Sequence, residues 1–304
     1  MRTIVYDPGA PNNFGFGEVA DPVPDSPNEM LIGVKAISLN FGEVATADNV
    51  DEPGDIPGWD SAGVVLVAAD DGSGPPVGTR VVGADWSRAW AQKRVLKSEN
   101  VAILPDSVDF GTAAALSVAG VTAVQIVRRL GPVLGRRVLV TGASGGVGRL
   151  AVQLAARAGA HVVAAVGSVD RGAGLRELGA DEVVVGLGGV APVHGVLEHV
   201  GGSMLADAFG LLDDGGTVIA VGAASGQPTL IDFEAERMTM LRKTIEPFMT
   251  QWPVGPDLRY AIELARRGQL DAQIGYRDSW HNIDTAIEAL LRRRVAGKVV
   301  LAVH

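Results

Sequence analysis

From Arg137 onward, short apolar runs alternate with stretches in which apolar residues recur every three or four positions. Val138, Leu139 and Val140 suit a strand buried on both faces. Gly142, Gly145, Gly146 and Gly148 crowd the next turn, and Val147, Leu150, Ala151, Leu154 and Ala155 follow at helical spacing. Gly159 is placed to stop that helix, and His161–Val166 reads as the next strand. The pattern then predicts a helix ending in Leu175–Ala180, strands at Glu182–Val185 and His194–Val200, and a helix over Ser203–Leu212. Strands at Thr217–Val221 and Lys243–Phe248 complete the series. Strand and helix in alternation imply a parallel sheet with helices on both faces.

The first part of the chain reads differently. Strand-length runs at Leu31–Ser38, Ala62–Ala68, Arg80–Gly83 and Trp90–Val95 are separated by Pro-, Gly- and Asp-rich stretches, as in a β-rich domain. Thr46–Asp60 is polar and acidic, and reads as a solvated surface loop. Asp109–Leu130 reads as helical. In the tail, Leu258, Ala261, Ile262 and Ala265 mark one amphipathic helix. Ile283, Ala286, Ile287, Leu290 and Leu291 mark another, with Asn282 as N-cap, and GKVVLAV looks like a closing strand.

Composition narrows the classes open to the chain. A formal net charge of −9 disfavours a nucleic acid or an anionic membrane as partner, because both require clustered positive charge. With no cysteine, disulfides, thiolate metal sites and a cysteine nucleophile are excluded, which suits a cytoplasmic enzyme. The first residues lack the apolar core of a signal peptide, and glycines and charges interrupt every run that could span a membrane.

A glycine turn between strand and helix lets backbone N–H groups approach a pyrophosphate at the positive helix end. The tip of the following strand then selects the cofactor. An acidic side chain there would favour NAD, but this strand ends in Gly167 and Ser168, with Arg171 three residues on. A hydroxyl and a guanidinium suit the 2′-phosphate of NADPH, although Asp170 stands beside them.

TGASGGVG also fits the signature of short-chain dehydrogenases, but neither Tyr260 nor Tyr276 has the lysine four residues on that their chemistry needs. The order of SLNFGEV (38–44), PGWDSAGVV (57–65), GTRVVG (78–83), ILPDSVDFGTAAALSVAGVTAV (103–124), the glycine motif, GGSMLADAFGLLDDGGTVIAVG (201–222) and RRRVAGKVVL (292–301) instead resembles the medium-chain dehydrogenase/reductase superfamily, in its zinc-independent quinone oxidoreductase and enoyl reductase branch. The resemblance implies an α/β chain, with a Rossmann doubly wound parallel sheet and a β-rich GroES-like catalytic domain. It implies a first part of the catalytic domain in residues 1–112, a Rossmann NADP-binding domain in 113–248, and a return to the catalytic domain in 249–304. Zinc-dependent relatives place metal ligands where this chain has Asn40 and Trp59, and a zinc site needs three or four suitable N, S or O donors. No metal is therefore expected.

By the same resemblance, Thr122 should lie beside the nicotinamide, and Ser144, Gly145, Gly146 and Val147 should meet the pyrophosphate. Ser168 and Arg171 should hold the 2′-phosphate, and Val200 and Gly201 the adenosine side. Val221, Gly222 and Ala223 should line the nicotinamide face, with Phe248 at the next strand end. Quinone reductases of this branch often carry a tyrosine where this chain has Ala45, which keeps activated alkenes in view beside quinones. The expected reaction is hydride transfer from NADPH to a quinone or an α,β-unsaturated carbonyl compound, a small-molecule substrate. Asn40 is the expected donor to the developing negative charge, and Trp59 the pocket wall. Asp60 is expected in the substrate pocket with Asn40 and Trp59, as an acid only if burial raises its pKa and otherwise making a structural hydrogen bond, and Lys298 is expected to be a surface lysine. A homodimer is the default assembly of this branch. The reading from another class is an NADPH-binding sensor or structural protein with little catalysis.

Overall fold

The structure is a computed structural model that describes every residue except Asp51; the side chain of Val50 is also not described. The acidic-loop reading at Asp51 therefore lies outside the described residues. The chain folds as two compact units: Met1–Val121 with Gln251–His304, and Thr122–Thr250.

The first unit opens with a hairpin of β1 (Arg2–Tyr6) and β2 (Phe14–Glu18), which no alternating pattern announces. After it come β3 (Glu29–Leu39), α1 (Phe41–Ala45), α2 (Ala47–Val50), β4 (Asp60–Val67), β5 (Arg80–Ala84), β6 (Lys93–Lys97) and β7 (Val101–Ile103). The strand expected at Trp90–Val95 is shifted. Ala89 and Trp90 instead hydrogen-bond the carbonyls of Gly58 and Pro57, and the strand begins only at Lys93. The loop expected at Thr46–Asp60 also needs correction, since α2 occupies its start and Asp48 accepts the Tyr6 hydroxyl at 2.9 Å.

The helical stretch expected over Asp109–Leu130 forms two helices, α3 (Phe110–Leu116) and α4 (Val118–Arg129). Asp109 caps the first, accepting from the N–H groups of Gly111 and Thr112. Distant partners then interrupt the helical ladder. The Ser117 hydroxyl donates to Gly83 O at 3.0 Å, and Val118 N donates to the Asp60 carboxylate at 2.7 Å.

The second unit carries β8 (Arg137–Val140), α5 (Gly146–Arg157), β9 (His161–Val166), β10 (Glu182–Val185), β11 (Val193–Glu198), α6 (Gly202–Gly210), β12 (Leu212–Ala220), α7 (Phe233–Met238) and β13 (Thr244–Pro247). Its six strands are all parallel, in the order β10-β9-β8-β11-β12-β13. Gly159, at φ 85°, ends α5 as the sequence predicts. The helix expected to end at Ala180 is absent: Val169–Gly172 forms one 3₁₀ turn and only turns follow, with Gly174 and Gly179 at positive φ. Glycines in that conformation break a helical ladder that the apolar spacing alone would have continued.

The chain then contributes α8 (Gly255–Arg266), β14 (Ile274–Ser279), α9 (Ile283–Leu291) and β15 (Lys298–Ala302) to the first unit. β15 pairs antiparallel with β3, aligning Val299 with Leu39, so GKVVLAV joins the same sheet as the first strands. Asn282 stands at the N-cap of α9 as expected, but its side chain makes no capping bond. Its amide donates to Asp278 instead, and Ser279 caps a preceding 3₁₀ turn. The core of this unit gathers Ile4, Phe14, Ile37, Leu39, Trp90, Trp280, Ile287 and Val299, all buried. Among the described residues no single helix is long and apolar enough to cross a membrane.

Candidate active site

In the first unit the chain places Asn40 at the end of β3 and Asp60 at the start of β4, two antiparallel neighbours. Lys298 begins β15, on the other side of β3. The three side chains meet. Lys298 is not at the surface: it is 2% exposed, and its ammonium donates to Asn40 Oδ1 at 2.6 Å, Leu39 O at 3.2 Å and Asp60 Oδ2 at 3.3 Å. The sequence reading is corrected here, because strand pairing carries this lysine into the sheet. Asp60 is fully buried and makes the structural hydrogen bond expected of it, to Val118 N, while its other oxygen accepts from Asn40 Nδ2 at 2.8 Å.

Asn40 is thereby held on every side. Besides Asp60, its Nδ2 donates to Glu43 Oε2 at 3.2 Å, and its backbone N–H donates to the same oxygen at 2.6 Å. Both amide hydrogens are committed to carboxyl groups, so the amide expected to meet a substrate instead joins two carboxyls. Glu43, three residues on in α1, completes this group and also accepts from Trp59 N. Burial first, and then the neighbouring Asp60 carboxylate, push Glu43 up to about 8, against the effect of those donors.

A cavity of about 310 Å³ opens beside this group, with Glu43, Trp59, Trp86 and Arg88 among its lining residues. Trp59 lines this cavity. It meets Trp86 edge to face at 5.6 Å, and Trp86 meets Trp252 at 5.4 Å. Arg94 fixes the frame of this wall from behind. Its buried guanidinium donates to Trp59 O, Ser61 Oγ, Asp85 O and Ser87 O at 2.6–3.0 Å. Desolvation lowers it to about 10, still far above neutrality.

The nucleotide residues lie in the second unit. Gly145 stands at the N-cap of α5 without a side-chain cap, leaving the first helical N–H groups to a ligand. A Cβ on Gly148 would fall 2.4 Å from Gly142 O, so glycine alone lets turn and helix pack this closely. At the tip of β9 a Cβ on Gly167 would meet nothing within 4 Å, and Ser168 and Asp170 are exposed. Arg171 turns back to the glycine loop, its Nε donating to Ser144 Oγ at 2.9 Å. The structure therefore joins two residues that the sequence assigned to different parts of one ligand.

Val200 and Gly201 lie against Val221–Ala223: Val221 N donates to Glu198 O, and a Cβ on Gly201 would stand 3.3 Å from Ala223 Cα. Thr122 is buried, with its hydroxyl 3.0 Å from that of Thr250, and Phe248 N donates to Ala220 O at 2.8 Å. A free helix terminus, an open strand tip and a guanidinium at the glycine loop fit a phosphorylated dinucleotide.

Sequence reasoning missed four residues. Glu43 carried a local signal, the acidic residue three positions after a capping residue. Arg94 and Glu198 carried none. Glu198, raised by burial, gathers Thr141 Oγ1 and the N–H groups of Val200 and Gly201 at 2.9 Å, and so shapes the loop after β11. The fourth, His199, donates Nδ1–H to Thr141 O, leaving Nε2 buried with no partner among the described residues.

A family model described as zinc-binding dehydrogenase matches residues 146–266. Quinone oxidoreductase-like protein 2 of Bos taurus is 27% identical over 311 residues, covering 94% of this chain and 88% of that protein. An acrylyl-CoA reductase of Ruegeria pomeroyi is 34% identical over 194 residues, covering 56% of this chain, which spans only 57% of that protein's length by this match. The crystal structure of Escherichia coli quinone oxidoreductase complexed with NADPH superposes with a TM-score of 0.88 at 22% identity, over 99% of this chain and 100% of that one, and so shares its fold. In sequence order, fold and these likenesses together, the chain is similar to the medium-chain dehydrogenase/reductase superfamily, and to quinone oxidoreductases within it.

Proposed function

We propose that this chain is a metal-independent, NADPH-dependent oxidoreductase that reduces quinones or α,β-unsaturated carbonyl compounds. The observation that carries the cofactor reading is the Arg171–Ser144 bond, which holds a guanidinium at the glycine turn where a phosphorylated cofactor is expected. Oxidoreductases among the relatives, one of them named for a quinone and one for acrylyl-CoA, support the reaction class. When bound, NADPH supplies the hydride. The α5 N-terminus and Ser144–Val147 would hold its pyrophosphate, Ser168 and Arg171 its 2′-phosphate, and the loops after β11 and β12 the rest of the dinucleotide.

Within the first unit Asn40 and Trp59 supply an amide and an indole where zinc-dependent relatives have metal ligands, and the amide is already bonded to carboxyl groups. Polarisation of a carbonyl then falls to hydrogen-bond donors, or the substrate must already be electron-poor, as quinones and enones are. Consumption of NADPH with a panel of quinones and enones tests the reaction. Tight nucleotide binding without turnover on any member would favour the sensor reading instead. Calorimetry on Arg171→Ala tests the cofactor: NADPH should weaken by about 10-fold or more, from loss of a charge-assisted bond, with NADH little changed.

The assembly proposed is a homodimer through β13, the edge strand of the parallel sheet. Leu230, Phe233, Met238 and Met240, in the segment before that edge, are exposed, a concentration of apolar surface that a second copy would cover. Light scattering coupled to size exclusion should give twice the mass of the 31.4 kDa chain, and a monomer would refute this.

A further inference from the structure

We propose that Glu43 is the proton donor of the reaction, delivering its carboxyl proton to the α-carbon of an enone bound in the cavity beside Trp59 and Trp86. The inference rests on the reductase reading above and adds to it the group that completes the reduction. Glu43 is the one member of the Asn40–Glu43–Asp60–Lys298 group that lines this cavity. Asn40, Asp60 and Lys298 bond one another behind it, so a proton released from the group leaves through Glu43.

The charges around it favour a proton held at rest. Asp60 on β4 raises Glu43 by its charge; the Lys298 ammonium on β15 opposes this with a smaller effect, and donates to Asp60 and to Asn40 rather than to Glu43. The Arg94 guanidinium on β6 is spent on three carbonyls and a hydroxyl. Asp55 and Arg88 complete the titratable and charged lining of the cavity. Burial and the Asp60 carboxylate together hold the proton on Glu43 to higher pH than on an exposed glutamate.

The same site also receives the charge left behind. Once the proton has gone, the carboxylate accepts three N–H groups already aimed at it, from Trp59 and from the backbone and amide of Asn40. They lower the cost of the anion without any rearrangement, which is what a donor must have to release a proton readily.

A hydride arrives at the β-carbon with its electron pair, the π pair of the alkene moves onto the carbonyl as an enolate, and the Glu43 O–H bond breaks as its proton joins the α-carbon. Two C–H bonds form and the alkene π bond is lost. The two electrons come from the reduced dinucleotide, and water returns the proton to Glu43.

Reduction of an α-methyl enone by the wild-type protein in D₂O tests this without any variant. Glu43 delivery predicts deuterium on one face of the α-carbon, and a rate that falls as pH rises above about 8. Glu43→Gln should lose about 100-fold or more in kcat, scramble the α-deuterium and abolish the alkaline limb. In the cofactor-free wild-type protein, infrared spectroscopy should show a protonated carboxylic acid near neutral pH that disappears above about pH 9 and is missing from Glu43→Gln. Enone consumption with scrambled α-deuterium in the wild type, or the absence of that carboxylic acid band, would overturn the proposal while leaving the reductase reading intact. Failure to consume any enone or quinone would remove the reading and the proposal together.

Discussion

The Lys298 ammonium and the Asp60 carboxylate form an ion pair at 3.3 Å, with side chains 2% and 0% exposed. Burying both charges costs several kcal/mol, offset only because each makes further hydrogen bonds, Lys298 to Leu39 O and Asn40, Asp60 to Val118 N and Asn40. Lys298→Met leaves Asp60 buried without its cation, and should destabilise the protein by about 3–5 kcal/mol in chemical denaturation. The double variant Lys298→Met/Asp60→Asn should lose clearly less than the sum of the two single changes. Additive losses would show that the pair is not energetically coupled.

Arg94 contributes to the frame rather than to reactivity. Replacing it with Met strands three carbonyls and a hydroxyl that now share its guanidinium. Arg94→Met should cost roughly 2–4 kcal/mol and raise KM more than it lowers kcat, because the Trp59–Trp86 wall loosens. An unchanged melting temperature would contradict this role.

Stability at acid pH should depend on His199. Burial holds this ring near 4, below the 6.5 of an exposed histidine, since its Nε2 has no partner to receive with a proton. The folded state therefore binds fewer protons than the unfolded state below about 6.5. The contribution is fully present above that value, and is lost as pH falls toward about 4, to an extent on the order of 3 kcal/mol. His199→Gln should flatten this part of the stability–pH curve, and a variant with the same acid slope would refute the assignment.

At the glycine turn, Gly148→Ala places a methyl 2.4 Å from Gly142 O and 2.8 Å from Ala143 Cα, both backbone atoms that cannot rotate away. The turn must shift. Destabilisation of about 1–3 kcal/mol should accompany at least a 10-fold loss of nucleotide affinity by fluorescence titration. Unaltered affinity would separate this turn from the nucleotide.

What could be read in the sequence follows the range of the interactions. The βα alternation from Arg137 to Phe248 was legible because each strand, turn and helix carries its own local pattern, and Gly159 even marked where a helix stops. The helix predicted before Ala180 failed where glycines with positive φ outweighed apolar spacing. The helical run broke at Ser117 and Val118 because their partners, Gly83 and Asp60, come from distant strands. The site divides in the same way. Trp59 and the Ser144–Val147 turn were visible as motifs, whereas the role of Lys298 depends on three strands meeting at its ammonium, 258 residues from Asn40. Nothing local distinguishes such a lysine from one in water. Glu43 lay between, betrayed by its spacing from Asn40 but not by any sign that it faces a cavity.

Transfer of label from NADPH deuterated at nicotinamide C4 to an enone, with a metal chelator present, tests the central claim most directly. The account predicts deuterium at the β-carbon of the product, at a rate the chelator does not change and that exceeds the rate with equally labelled NADH. Nucleotide binding without label transfer, or transfer abolished by chelation, would contradict it.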